Sequence, residues 1–95
     1  MESRIKDENT DFLFDAILKL KNKEECYQFF EDLCTIPEIK AMAQRIVVAK
    51  LLSEKVVYND IVAITGASTA TISRVNRSLA YGTGGYATVF NREKE

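Results

Sequence analysis

The sequence predicts an all-α fold, a small helical domain of about five to six helices with a helix-turn-helix near its C-terminal end. Three observations carry that expectation. Apolar residues recur at the helical period along most of the chain. Cap and stop residues (Asn22, Thr35 with Glu38, Gly66 with Ser68, and Gly82) cut this pattern into helix-length pieces. Between Asp60 and Asn76, DIVAITGASTATISRVN, two short apolar stripes meet across a glycine and a serine, as two helices packed on one another require.

Ninety-five residues suffice for a single domain, 1–95, with one small core, and a chain this short gains from burying surface against a second copy. Residues 1–10 are charged and poor in apolar side chains, so a flexible arm is expected there, with Thr10 or Asp11 capping the helix that follows. Phe12, Leu13, Ala16, Ile17 and Leu20 then give a helix one apolar face as far as about Lys21. Asn22 interrupts it. On the next helix Cys26, Tyr27, Phe29, Phe30, Leu33 and Cys34 form a broad, aromatic-rich stripe, to be covered by the chain's own core or by a second subunit. Cys26 and Cys34 lie two helical turns apart, too far to bridge within one helix, and are expected as reduced core thiols. Thr35 to Glu38 has the T-x-x-E spacing of a capping box, with Pro37 in the first turn. From Ile39 to Leu52 the third helix is apolar nearly all round and should be the buried axis of residues 11–54, the core and dimerisation helices.

The helix-turn-helix is expected over 58–81, with Asn59 capping its first helix. Ile61 and Ile64 form one stripe, and Ile72, Val75 and Leu79 the facing one. Gly66 takes the left-handed conformation that ends a helix, and Ser68 caps the next. Away from the apolar stripe the second helix is short or basic. Ser68, Thr69, Ala70, Thr71 and Ser73 allow close approach to base edges and offer hydroxyls, while Arg74 and Arg77 present forked donors to guanine or phosphate. Such a face can enter a groove of double-stranded DNA; the plainer reading is a helical hairpin with a solvated polar face. The helix should stop at Gly82, leaving 82–95 as a tail in which Tyr86 to Phe90 packs extended and NREKE frays. The run G-T-G-G-Y is a helix stop and hinge, since the strand, following helix and lysine of a phosphate cradle are missing.

ITGASTATISRVN is similar to the DNA-reading element of lactose-repressor-type regulators, which carry it at the extreme N-terminus. Its place near the end of a short chain, behind three helices, resembles instead the tryptophan repressor family and its small YerC/YecD-type branch, over residues 10 to 90. That resemblance implies a Trp-repressor-like fold, an intertwined homodimer, and a small-molecule effector held between two arginines. Arg45 on the central helix and Arg74 on the recognition helix match those arginines, and Ser78 matches the residue that meets the ligand's amino group. Arg74 is also placed to contact DNA, the role favoured here. The family's glycine after the second arginine is Val75, whose branched side chain takes up space an indole needs; this disfavours tryptophan itself as effector. Where the family's first reading helix is basic, Asn59 and Val62 stand, so fewer phosphate contacts are expected.

Charge is close to balance, 13 basic against 14 acidic residues, but unevenly spread: residues 1 to 34 sum to −4 and residues 35 to 95 to +3. The C-terminal surplus suits a DNA face of modest non-specific affinity. Histidine is absent, and no C-x-x-C pair or paired carboxylates in an apolar setting occur, so neither catalysis nor a metal or other cofactor is expected. The absence of a leader and of a long apolar run predicts a cytoplasmic protein with no membrane partner. The expectation is a dimeric, sequence-specific transcriptional regulator, with repression favoured, binding a pseudo-palindromic operator. The alternative is a protein-interaction adaptor that keeps the fold and docks a protein, which calls for an apolar or acidic patch on the second reading helix.

Overall fold

The computed structural model describes residues 3–92 and is all-helical over them. The helices are α1 (Glu8–Ile17), α2 (Lys23–Leu33), α3 (Ile36–Ser53), α4 (Tyr58–Thr65), α5 (Thr69–Tyr81) and α6 (Gly85–Arg92). They fall into two compact units divided at Ile36, with α1 and α2 in the first and the body of α3 with α4, α5 and α6 in the second.

In the first unit, α1 starts earlier than expected. Asp7 is the N-cap, its carboxylate accepting the Thr10 backbone N–H at 2.7 Å, so helix replaces the last part of the expected arm and neither Thr10 nor Asp11 is the cap. Aspartate there satisfies an orphan N–H and also meets the positive end of the helix dipole. Lys6 pairs with Asp11 across this turn at 3.1 Å. The helix ends at Ile17, four residues before Lys21, because Lys19 and Leu20 donate three residues back, to Ala16 and Ile17, and wind the chain out of the α-helical path. Asn22 caps α2 by accepting the Glu25 N–H at 2.8 Å. Phe29 and Phe30 meet edge to face with ring centroids 5.5 Å apart. No side chain of α1 or α2 is fully buried; Phe12, Leu18 and Tyr27 are 77, 82 and 66% exposed. The thiols of Cys26 and Cys34 are free but half-buried, not core groups, since this unit has no closed core to receive them.

The second unit has a core: Val48 and Ala49 of α3, Ile61 of α4, Ala67 of the turn, Ile72 and Val75 of α5, and Phe90 of α6. The helix α3 opens directly after Thr35, as the capping-box spacing requires, but it is not buried along its length. Only Val48 and Ala49 are enclosed, whereas Met42, Ile46 and Val47 are 39 to 46% exposed and Ile36 is 70% exposed. An all-round apolar helix needs neighbours on every side, and in this unit the core shared with α4, α5 and α6 takes in only Val48, Ala49, Leu51 and Leu52 of it.

The end of α3 carries an unusual residue. The Lys55 N–H donates to Leu52 and the Val56 N–H to Leu51, at 3.0 and 3.1 Å, the double closure that follows a residue in left-handed conformation. That residue is Lys55, φ 67°, among the described residues the one non-glycine with positive φ. The chain enters α4 through Val57, which makes no side-chain capping bond; Asn59 lies inside the first turn instead of capping it. Packing sets this phase, because Val56 and Tyr58 are drawn against the core.

Residues 85–92 are helical, correcting the extended tail expected from Tyr86 to Phe90. Tyr86 and Phe90, one turn apart, stack at 6.0 Å, and the Lys50 ammonium sits 5.1 Å from the Phe90 ring centroid. A buried aromatic with a cation over its face outweighs the poor helix propensity of the glycine at the start. Asn91 and Arg92 belong to this helix, and the remaining three residues of NREKE lie outside the described residues, as do the first two of the arm. Among the described residues, no helix is long and apolar enough to cross a membrane.

The Asp7 cap has a pH signature. Its carboxyl is held below its ordinary value of 3.8, chiefly by the Thr10 backbone N–H. A depressed folded-state pKa means the contribution is complete above the ordinary aspartate range and is lost as pH falls through the depressed value. We expect the Thr10 amide to lose exchange protection as pH drops below 3.8. Asp7→Asn, which keeps the acceptor without the charge, should remove that dependence, as amide exchange across pH will show.

Candidate nucleic-acid interface

The turn between α4 and α5 is three residues long, and each has a separate task. Gly66 has φ 72° and ψ 5°, and its N–H closes on Val62 at 2.9 Å. A Cβ built there would meet nothing within 4 Å, so the backbone angle, not crowding, is what favours glycine. Ala67 follows and is buried to 2% exposure. Ser68 returns to the surface and caps α5, its Oγ accepting the Thr71 N–H at 3.1 Å and donating to the Thr71 hydroxyl at 3.1 Å.

Two residues that spacing does not single out brace this turn. The Thr65 hydroxyl donates to the Ile61 carbonyl at 2.7 Å and accepts the Ala67 N–H at 3.1 Å, joining the last turn of α4 to the turn itself. The Gln44 side-chain amide of α3 donates to the Thr65 carbonyl at 3.2 Å. A threonine just before the helix-ending glycine is the signal for the first; an amide 21 positions away leaves none.

The core-facing stripe of α4 is Tyr58, Ile61 and Val62, at i, i+3 and i+4. Ile64, expected to share the stripe of Ile61, is 63% exposed, because three steps leave it some 60° round the helix, on the flank. On α5, Ile72 and Val75 are buried and Leu79 half-buried, as the spacing predicts.

This anchoring leaves the opposite face of α5 in solvent. Thr69, Ala70, Ser73, Arg74 and Arg77 are exposed, as is Ser68; Thr71, half-buried, is engaged with the cap. The first turn of α5 holds no acidic residue. Arg74 and Arg77 make no ion pair with any described residue. The result is a row of small and hydroxylated side chains followed by two free guanidinium groups, open to a polyanion and without a carboxylate to repel it. Of the large apolar side chains of α5 only Tyr81, its last residue, is strongly exposed, so the apolar patch an adaptor requires is missing from this face.

The proposed effector residues lie on two helices: Arg45 on α3, exposed and in no ion pair with a described residue, and Arg74 and Ser78 one turn apart on α5, both exposed. Val75, between these last two, is 2% exposed and packs in the cluster that holds Val48 and Ala49. Gly82 ends α5, as expected, though in extended conformation; a side chain there would collide with the Ser78 carbonyl. A helix does begin within G-T-G-G-Y, at Gly85, contrary to expectation, but the run is preceded by α5 and has no lysine.

The family model described as Trp repressor protein matches residues 8–94, across both compact units. The chain belongs to the Trp repressor family. Members of that family are regulatory DNA-binding proteins, not enzymes, and the fold places this chain among DNA-binding regulators. The Trp-repressor-like chain is 52% identical over 92 residues to the uncharacterized protein YerC of Bacillus subtilis, covering 97% of itself and 88% of that protein. Among solved structures it resembles a TrpR-like protein from Eubacterium eligens, with a TM-score of 0.92 at 56% identity, covering 96% of this chain and 94% of that one. A candidate Trp repressor from Staphylococcus aureus gives a TM-score of 0.92 at 49% identity, covering 96 and 91%.

The geometry at Gly66 makes a comparison of two substitutions informative. Gly66→Ala should cost about 1–2 kcal/mol, all of it backbone strain, since the site has room for the methyl group. Gly66→Asn should cost clearly less, because asparagine tolerates the left-handed region. Equal losses in denaturant unfolding would mean that something other than φ selects glycine.

Proposed function

We propose that this Trp-repressor-family chain is a sequence-specific transcriptional regulator, acting in the cytoplasm as a homodimer that binds a pseudo-palindromic operator. The observation that carries this reading is the acid-free exposed face of α5, ending in two arginines in no ion pair with a described residue and set by a braced turn. In the groove, Ser68, Thr69, Ala70, Thr71 and Ser73 approach base edges. Arg74 makes the directed contact to guanine or phosphate, and Arg77 holds the backbone. Repression is the proposed sense of regulation, since a protein seated on an operator excludes other proteins from it.

A second copy is the occupant that best suits the apolar side chains of α1, α2 and the N-terminal half of α3. The first unit has no fully buried residue among those described and so no core of its own, and Phe12, Leu18, Tyr27 and Ile36 are large apolar groups left in water. Sedimentation equilibrium should return a dimer at micromolar concentration, and Phe12→Asp should weaken it. A monomer indifferent to that substitution would remove the dimer.

Arg45, Arg74 and Ser78 are the proposed contacts of any effector, but tryptophan is not favoured. The position at which the family's glycine leaves room is filled by a valine packed with Val48 and Ala49 of α3. DNA binding is therefore proposed to need no tryptophan.

Selection of duplexes from a random library by the purified protein, with no ligand added, tests these points together. Enrichment of a two-fold symmetric motif, unchanged by tryptophan, is expected. Arg77→Ala should then weaken binding to all duplexes and lower the salt slope by about 1 per contact, while Arg74→Ala should cost about 1–3 kcal/mol and relax one base position. A motif that appears only with a metabolite extract would make the protein ligand-gated, and none under either condition would favour the adaptor.

A further inference from the structure

We propose that Lys55 is a phosphate-contacting residue, the cation through which the α4 side of the helix-turn-helix grips the DNA backbone. The inference deepens the DNA-binding reading and rests on it. From Leu51 to Ser73, a span that takes in all of α4, the turn and the start of α5, Lys55 is the single basic residue. The helix α4 itself, YNDIVAIT, has no cation, and its one charged side chain is Asp60. When the second helix of such a pair lies in the major groove, the first crosses the sugar-phosphate rail beside it. An eight-residue helix is ~12 Å long, the width of that groove, so the end of α4 remote from the turn falls beside a phosphate. Lys55 stands three residues before that end, exposed, and in no ion pair with any described residue.

Its backbone points the same way. Lys55 occupies the left-handed position of the α3 closure, φ 67°, where glycine is the residue of least strain. Lysine there weakens the fold relative to glycine, and its ammonium makes no hydrogen bond or ion pair with a described residue in return. A long cation held by a strained, well-bonded turn is suited to a ligand outside the chain, and at this place a phosphate is the ligand that a lone ammonium fits.

The test compares wild-type protein with Lys55→Gly, Lys55→Arg and Arg77→Ala on a duplex taken from the selection and on an unrelated duplex, over a salt series, with melting temperature read in parallel. Lys55→Gly should melt about 4 °C higher or more, yet bind both duplexes roughly three- to tenfold more weakly at low salt, with a salt slope shallower by about 0.9 per lost contact. Lys55→Arg should keep affinity and slope. If Lys55→Gly binds with unchanged slope while Arg77→Ala loses affinity, the Lys55 proposal is wrong and DNA binding stands. Failure of the wild-type protein to bind either duplex above background would overturn the DNA-binding reading and this proposal with it.

Discussion

The left-handed backbone at Gly66 turns the chain so that Ala67 enters the core and Ser68 leaves it as the cap of α5. The arrangement of the second unit depends on this reversal. Burying Ala67 places the turn on the cluster formed by Val48, Ala49, Ile61, Ile72 and Val75, so the reading helix is fixed at its start as well as along its side. The turn's polar groups are met as it goes in: the Thr65 hydroxyl takes the Ala67 N–H, the Ser68 hydroxyl takes that of Thr71, and Gln44 holds the Thr65 carbonyl. An unmet N–H at such a place would cost as much as the alanine gains. Geometry, burial and hydrogen bonding thus agree within a few residues, which is why the exposed face of α5 is well defined although its own side chains make few contacts.

Much of this was legible in the sequence because it is local. A glycine at the end of one stripe and a serine before the next specify the turn, and Ile72, Val75 and Leu79 specify the buried side of α5 without reference to anything distant. The failures are where packing overrides a local signal. Gly84, Gly85, Thr88 and Val89 argue against a helix, yet α6 forms because Phe90 reaches the core with Tyr86 stacked on it and Lys50 above its ring. Asn59 is the better cap by residue type, but the packing of the half-buried Val56 and Tyr58 against the core starts α4 earlier. Ile64 has the right spacing from Ile61 and the wrong angle. The capping of α1 by Asp7 was hidden because Asp7, Thr10 and Asp11 are all competent caps, and composition does not rank them.

The two halves of α3 show how one helix can serve two surroundings. Val48 and Ala49 are enclosed in the core made with α4, α5 and α6, while Ile36, Met42, Ile46 and Val47 before them stay in contact with water. A uniformly apolar sequence does not announce this difference, since hydropathy measures what a residue prefers and not what the chain supplies. Charge divides in a related way. The acidic excess lies in residues 1 to 34 and the basic excess beyond them, so a chain of nearly zero net charge still offers an acid-free face on α5.

The bond from Gln44 to Thr65 has a mechanical side. Apolar contacts resist separation but hardly resist sliding, whereas a hydrogen bond is directional and pins the point where it is made. Gln44 therefore sets where along α3 the turn comes to rest, a position that the apolar cluster alone would leave free to slip.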